Sequence, residues 1–233
     1  MMEKVLIIIP AFNEESNIGQ LLDNIKRECP QFDVIVVNDC SKDNASIVCK
    51  SRQINVIDLP VNLGIGGAVQ TGYKYALNLG YDIAVQVDGD GQHNPIYIQK
   101  LVNKVEQGVD MCIGSRYIEK KGFQSTLARR IGIKYFSREI YLLSKQRITD
   151  PTSGARACNK EVIKYFANSY PKDYPEPETI IALKNRDFTI SETPVIMNER
   201  EEGKSSITAM KSIYYMIKVT LAMIIASIAK KEK

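Results

Sequence analysis

At 233 residues the chain is long enough to bury a substantial core, as one large domain or a domain with a short appendage. Its 44% hydrophobic and 25% charged content excludes intrinsic disorder, and five scattered cysteines exclude a zinc or disulfide framework and fit a reducing cytoplasm. The formal charge of +4 hides an asymmetry: Ser115 to Arg147 carries nine Lys/Arg against two Glu, which leaves the remainder net negative and points to an anionic partner at one face.

Val5 to Ile9 is an apolar run that stops at Pro10 without a signal-peptide cleavage pattern, and reads as a first strand buried on both faces. Pro10-Ala11-Phe12-Asn13-Glu14-Glu15-Ser16 follows, with Ser16 as the expected N-cap of a helix bearing Ile18, Leu21, Leu22 and Ile25. Val34 to Val37 and Ile54 to Leu59 read as further buried strands, ending in Asn38-Asp39-Cys40-Ser41 and Pro60-Val61-Asn62-Leu63. Gly64-Ile65-Gly66-Gly67-Ala68 opens a helix that Gly80 closes, and glycines at a helix N-terminus can admit phosphate.

The strand Ile83 to Val87 delivers an acidic tip, Asp88-Gly89-Asp90-Gly91-Gln92-His93. In an extended chain Asp88 and Asp90 point the same way, roughly 6.6 Å apart at a rise of about 3.3 Å per residue. Two such carboxylates repel unless a cation sits beside them. Gly89 and Gly91 let the backbone approach a bulky ligand, and Gln92 adds a neutral oxygen of the kind that Mg2+ or Mn2+ accepts. A solvated acidic turn is the competing reading. An EF-hand is excluded, because His93 replaces the turn glycine and Gln99 the closing glutamate; an aspartate-nucleophile phosphatase would place this strand first.

Asn94-Pro95 caps a helix with Ile98, Leu101, Val102 and Val105 on its core face, Gly108 ends it, and Met111 to Ile113 is a strand leading to Gly114-Ser115-Arg116-Tyr117. The alternation of strand and helix predicts an α/β fold with a doubly wound, mostly parallel sheet. Leu127 to Leu143 is a basic amphipathic helix with Arg130, Lys134 and Arg138 in one row and Leu127, Ile131, Tyr135 and Leu142 to one side of it. It either packs on the domain with a solvated charged face or lies in a membrane interface.

Asp150-Pro151-Thr152-Ser153-Gly154 reads as a turn, Lys160 to Phe166 as a helix, Tyr174 to Glu178 as the approach to another, and Thr189 to Met197 as a strand broken by Pro194. Arg200 to Ser206 is a polar loop. Ile213 to Ala229 is apolar but is interrupted by Lys218 and falls short of the roughly 20 apolar residues of a spanning helix. It is expected to rest on a membrane, a partner or the core, with Lys230, Lys231 and Lys233 suited to anionic headgroups.

Pro10-Ala11-Phe12-Asn13-Glu14, Asp39 with Ser41, Asn62-Leu63-Gly64 with Gly67-Ala68, the acidic tip, Gly114-Ser115-Arg116-Tyr117 and Asp150 to Gly154 occur in that order. The set resembles family 2 glycosyltransferases, in particular the branch like dolichol-phosphate mannosyltransferase that loads a sugar onto a polyprenyl phosphate. The resemblance implies a GT-A-type sheet flanked by helices, with residues 1–206 as the catalytic domain, including the basic helix at about 125–145, and 207–233 as a membrane- or partner-associated helix. It implies that Pro10, Ala11, Phe12, Asn13, Glu14 and Asp39 hold the nucleoside, with Gly64, Gly67 and Ala68 against it. Asp88 and Gly89 then lie near the ribose and diphosphate, and Asp90 and Gln92, with Asp88 beside them, bind Mg2+ or Mn2+. Arg116 and Arg130 match acceptor-phosphate residues, and Lys204 with Ser205 matches a loop that closes on the donor.

The implied reaction is inverting transfer from a nucleotide-sugar, with UDP-N-acetylglucosamine or UDP-glucose favoured over GDP-mannose, to undecaprenyl phosphate for cell-envelope polysaccharide or glycan synthesis. Asp150 is the candidate for a base or for positioning the acceptor, unless it is a turn carboxylate. His93 is expected to be structural. A saccharide hydroxyl as acceptor, or a non-catalytic nucleotide-sugar-binding scaffold, remain alternatives. The expected setting is peripheral, on the cytoplasmic face of the membrane, with a small membrane-protein anchor or a homo-oligomer as further partners and no nucleic acid.

Overall fold

The computed structural model describes residues 3–173, 175–198 and 209–229. Strands β1 (Val5–Ala11), β2 (Asp33–Asn38), β3 (Asn55–Asp58), β4 (Ile83–Gln86), β5 (Met111–Ser115), β6 (Arg156–Asn159) and β7 (Ile190–Pro194) form one sheet in the spatial order β3-β2-β1-β4-β6-β5-β7. Every pairing is parallel except those of β6, which runs antiparallel to both β4 and β5. The helices are α1 (Glu15–Glu28), α2 (Ala45–Ser51), α3 (Gly64–Asn78), α4 (Ile98–Glu106), α5 (Leu127–Ser144), α6 (Lys160–Asn168), α7 (Pro175–Lys184) and α8 (Ala209–Ile228).

β1 is buried along its whole length, and its side chains alternate between two cores. Leu6 and Ile8 join the layer that includes Val69 and Tyr73 of α3, Phe166 of α6 and Ile180 of α7; Val5, Ile7 and Ile9 join the layer that includes Leu21 of α1 and Leu101 of α4. Covering both faces in this way is what a parallel sheet requires, and it leaves the strand ends open to a ligand.

Several expectations are corrected. Ser16 is not the N-cap: α1 begins at Glu15, and the capping position, Glu14, makes no side-chain cap hydrogen bond. β3 is an edge strand with exposed ends instead of a third fully buried one. α2 and β6 carry no periodicity strong enough to be foreseen. Asn94 does cap, accepting from Ile96 N, but a single 3-10 turn, Pro95–Tyr97, precedes α4. Gly80 and Gly108 follow α3 and α4 with φ of 67° and 98°, the left-handed geometry that ends a helix.

α5 has a different phase from the one its sequence suggests. Ile133, Phe136 and Ile140 are its buried face, while Leu127, Ile131, Tyr135 and Leu142 are exposed. α8 packs on α5 and α7. The Phe136 and Tyr215 rings meet edge-on, Tyr135 Oη bonds Thr220 Oγ1 at 3.2 Å, and Lys218 pairs with Asp173 at 2.7 Å. α8 therefore belongs to the fold, and among the described residues no helix is long and apolar enough to cross a membrane. The expected polar loop and the terminal lysines lie outside the described residues.

Candidate active site

The parallel strands β1, β2 and β4 end at the same edge, so their exit loops converge. Pro10, Ala11, Phe12, Glu14, Asp39, Gly64, Ala68, Asp88, Gly89 and Asp90 line one cavity of 370 Å³. Ten expected donor-site residues are thus brought together. Asp39 is buried and caps the approach to α3, its two oxygens accepting from Leu63 N at 2.7 Å and Gly64 N at 2.9 Å. Gly64, at φ 76°, turns the chain into the helix there.

Two residues of that set play other parts. Asn13 ties the β1 and β2 exit loops, its backbone N–H donating to Ser41 Oγ at 3.0 Å and its Oδ1 accepting from Lys42 N at 2.8 Å. Gly67 faces Leu63, where any side chain would collide.

The acidic tip is not extended. The chain turns at Gly89-Asp90-Gly91, and Asp90 Oδ1 accepts from Gln92 N at 3.1 Å. His93, buried and next to the isolated bridge partner Met197, sets its Nε2 at 3.1 Å from Asp88 Oδ2. Burial alone would push the Asp88 carboxyl up, but the His93 hydrogen bond and charge, helped by Gln86 and Arg156, outweigh it and hold it below the ordinary value. The expected structural role of His93 is therefore specific: it fixes Asp88.

A second cavity, of 320 Å³, meets the first at Asp88. Its polar lining includes Asp88, Gln92, Arg116, Arg129 and Thr152, and its apolar lining Ile133, Phe136, Met197, Tyr215 and Met216. Arg130 is exposed and is not among the lining residues. The phase set by buried Ile133 and Phe136 brings Arg129 to the cavity, in series with Gly132, Ile133 and Phe136 at helical spacing.

Arg116 lines the cavity but is also bound from behind. Its Nε and Nη2 bond the two oxygens of Asp150 at 2.6 and 2.7 Å, and Asp150 is fully buried and lines neither cavity. Asp150 is thus not presented to a substrate as a base would be. Lys204 and Ser205 lie outside the described residues.

Sequence reasoning missed two charged residues next to the site. Arg156 on β6 is buried, donating to Ser153 O, Pro151 O and Thr179 Oγ1 at 2.9, 3.0 and 2.7 Å, and so ties the 151–153 turn to the first turns of α7. Glu176, in the first turn of α7, is pushed up to about 7 by burial, against the opposing pull of Arg156 and with Asp88 adding to the rise. Its only sequence signal was the Pro-Glu-Pro-Glu spelling.

Among the described residues no group of three or more His, Cys, Asp or Glu could hold a metal ion by itself. Asp90 faces the first cavity, Gln92 the second, and Asp88 both. That sparse oxygen set fits Mg2+ or Mn2+, ions that take one or two carboxylates and complete their shell with substrate phosphates and water.

A parallel sheet with one reversed strand and an acidic loop at the strand exits defines a GT-A-type nucleotide-binding fold. The glycosyl transferase family 2 model matches residues 6–166, and the chain belongs to that family. It is 29% identical to the polyprenol monophosphomannose synthase of Mycolicibacterium smegmatis, over 93% of this chain and 86% of the relative. It is 32% identical to a UDP-N-acetylglucosamine–dolichyl-phosphate N-acetylglucosaminyltransferase of Methanococcus voltae, over 82% and 84%. Glucosyl-3-phosphoglycerate synthase from Mycobacterium tuberculosis, solved with Mn2+, uridine diphosphate and phosphoglyceric acid, shares the fold at a TM-score of 0.71 and 18% identity, over 99% of this chain and 80% of that one.

Proposed function

We propose that this glycosyltransferase moves a sugar from a nucleotide-sugar, UDP-N-acetylglucosamine or UDP-glucose, to a polyprenyl phosphate, with a divalent cation, at the cytoplasmic face of a membrane. The observation that carries the reading is the meeting of two unlike cavities at Asp88. One is built from strand exits and suits a nucleoside diphosphate; the other is lined by two arginines together with apolar side chains, the chemistry of a phosphate on a hydrocarbon chain. The names of the two sequence relatives agree with the acceptor and leave the sugar open.

Pro10, Ala11, Phe12, Glu14, Asp39 and the Gly64 turn hold the nucleoside and orient its diphosphate toward Asp88. Asp90 and Gln92, with Asp88 beside them, would hold the cation, which neutralises charge developing on the leaving diphosphate. Arg129 and Arg116 hold the acceptor phosphate, largely dianionic at neutral pH because its second pKa is about 6. One of its oxygens attacks the anomeric carbon from the face opposite the diphosphate; the new O–C bond forms as the C–O bond to the nucleotide breaks, the nucleoside diphosphate leaves with the electron pair, and the centre inverts. No proton has to be removed, which agrees with Asp150 being withheld from substrate.

Exposed apolar side chains of α5 (Leu127, Ile131, Leu142) and α8 (Ile217, Leu221, Ile225, Ile228), beside the basic row Arg130, Lys134 and Arg138, supply a surface for peripheral attachment to anionic lipid. The test is a panel of labelled nucleotide-sugars with undecaprenyl phosphate and Mn2+, counting lipid-extractable label. Label from one UDP-sugar in the lipid phase is expected; label appearing only in a saccharide or in water overturns the acceptor assignment.

A further inference from the structure

Asp150 and Arg116 form the tightest charged pair of the site, and the pair has a direction. Asp150 Oδ2 accepts from Arg116 Nε at 2.6 Å and from Arg116 N at 3.2 Å, and Oδ1 from Arg116 Nη2 at 2.7 Å and Thr152 Oγ1 at 3.3 Å. A carboxylate has about four acceptor positions, so none remains for a substrate proton. Arg116 is filled on one edge only: Nη2 also donates to Thr152 Oγ1 at 3.1 Å, whereas Nη1 has no hydrogen-bond partner among the described residues. Since Arg116 lines the second cavity, Nη1 is the donor it has left for a ligand there.

The clamp is itself fixed from below. Glu192 on β7 accepts from Asp150 N at 2.9 Å and Thr149 N at 2.8 Å, and Thr149 Oγ1 meets Ser115 Oγ of β5 at 2.6 Å. β7 thus holds the backbone of Asp150 through Glu192, β5 holds the neighbouring Thr149 side chain, and Asp150 holds the guanidinium. An arginine on the surface would lose several rotatable bonds of freedom on gripping a phosphate; this one has lost them already.

We infer that Asp150 is a positioning residue, which locks the Nε–Nη2 edge of Arg116 so that Nη1 alone meets the acceptor phosphate. This rests on the polyprenyl-phosphate reading above. It differs from a base in its consequences. Removing a base slows turnover at all substrate concentrations and changes the pH profile; unlocking Arg116 weakens acceptor binding and leaves the profile in place.

The experiment uses the full chain, undecaprenyl phosphate and the UDP-sugar found active. Asp150→Asn is expected to raise KM for undecaprenyl phosphate about tenfold or more, to change kcat less than about threefold, and to leave the shape of the pH profile and the affinity for UDP as they are. In an Arg116→Ala background, adding Asp150→Asn is expected to change KM no further. Should Asp150→Asn not fold, Thr152→Val, which removes only the hydroxyl shared by both partners, is expected to raise KM in the same direction by about two- to fivefold. A fall in kcat of about a thousandfold with an altered pH profile, or an undiminished effect in the Arg116→Ala background, overturns the inference. Absence of lipid transfer by the unaltered protein refutes the functional reading instead.

Discussion

Gly154→Ala is a one-carbon perturbation aimed at the junction of the two cavities. Gly154 does not have the positive φ that restricts alanine, so the backbone would accept the change. The obstacle is Asp88: a Cβ at position 154 would sit 2.6 Å from its Cγ and closer still to its oxygens. Ordinary carbon contacts lie at about 3.5–4.0 Å, so one side must give by about 1 Å. Asp88 is held by His93 at 3.1 Å, and the turn containing Gly154 is held by Arg156 through Ser153 O. Overpacking of this kind costs about 1–3 kcal/mol, which for a chain of this size lowers Tm by roughly 2–10 °C. A displacement of about 1 Å in the reacting geometry costs on the order of a hundredfold in rate. Thermal unfolding followed by circular dichroism gives the first number and lipid-extractable label gives the second. A variant that melts within about 1 °C of the parent and transfers within twofold of its rate would show that Asp88 is not confined as described.

Two further outcomes are expected. Glu176 binds its proton more tightly in the folded state, with a pKa of about 7 against 4.5, so the stability linked to it is full below pH 4.5 and is lost as pH rises through about 7. Glu176→Gln should remove on the order of 2 kcal/mol of that decline between pH 5 and 8 in urea unfolding, and curves that stay parallel at every pH would refute it. Replacing Ile217 and Leu221, both exposed on α8, with serine should reduce co-sedimentation with protein-free anionic vesicles several-fold while leaving Tm within about 2 °C; unchanged sedimentation would assign attachment elsewhere.

What could be read from the sequence was what repeats or what sits beside it. The β1 run, the strand exits at Asn38, Leu59 and Val87, and the glycines after α3 and α4 are local signals, and the residues chosen at those exits line one cavity. The phase of α5 was not legible, because Ile131 and Ile133 are equally apolar and only packing against α7 and α8 decides which one is buried. The resemblance points to Arg130, and the packing brings the neighbouring Arg129 to the cavity. β6 is four residues long and contains a buried arginine and an asparagine, so it carries no strand pattern of its own. The Arg116–Asp150 clamp joins residues 34 apart. A turn carboxylate and a catalytic base have the same spelling until the partner is seen.

The reversed strand has a consequence for how the chain is made. β1 to β4 are complete once Gln86 has been synthesised, but the outer edge of β4 has to wait for Arg156 to Asn159, about 70 residues later. At translation rates of about 5–20 residues per second, a fully apolar edge, Ile83-Ala84-Val85, stands unpaired for roughly 4–14 s. Such an edge is a template for another chain. The first four strands are thus born with an adhesive edge open, and the strand that follows the 150–154 turn is the one that seals it.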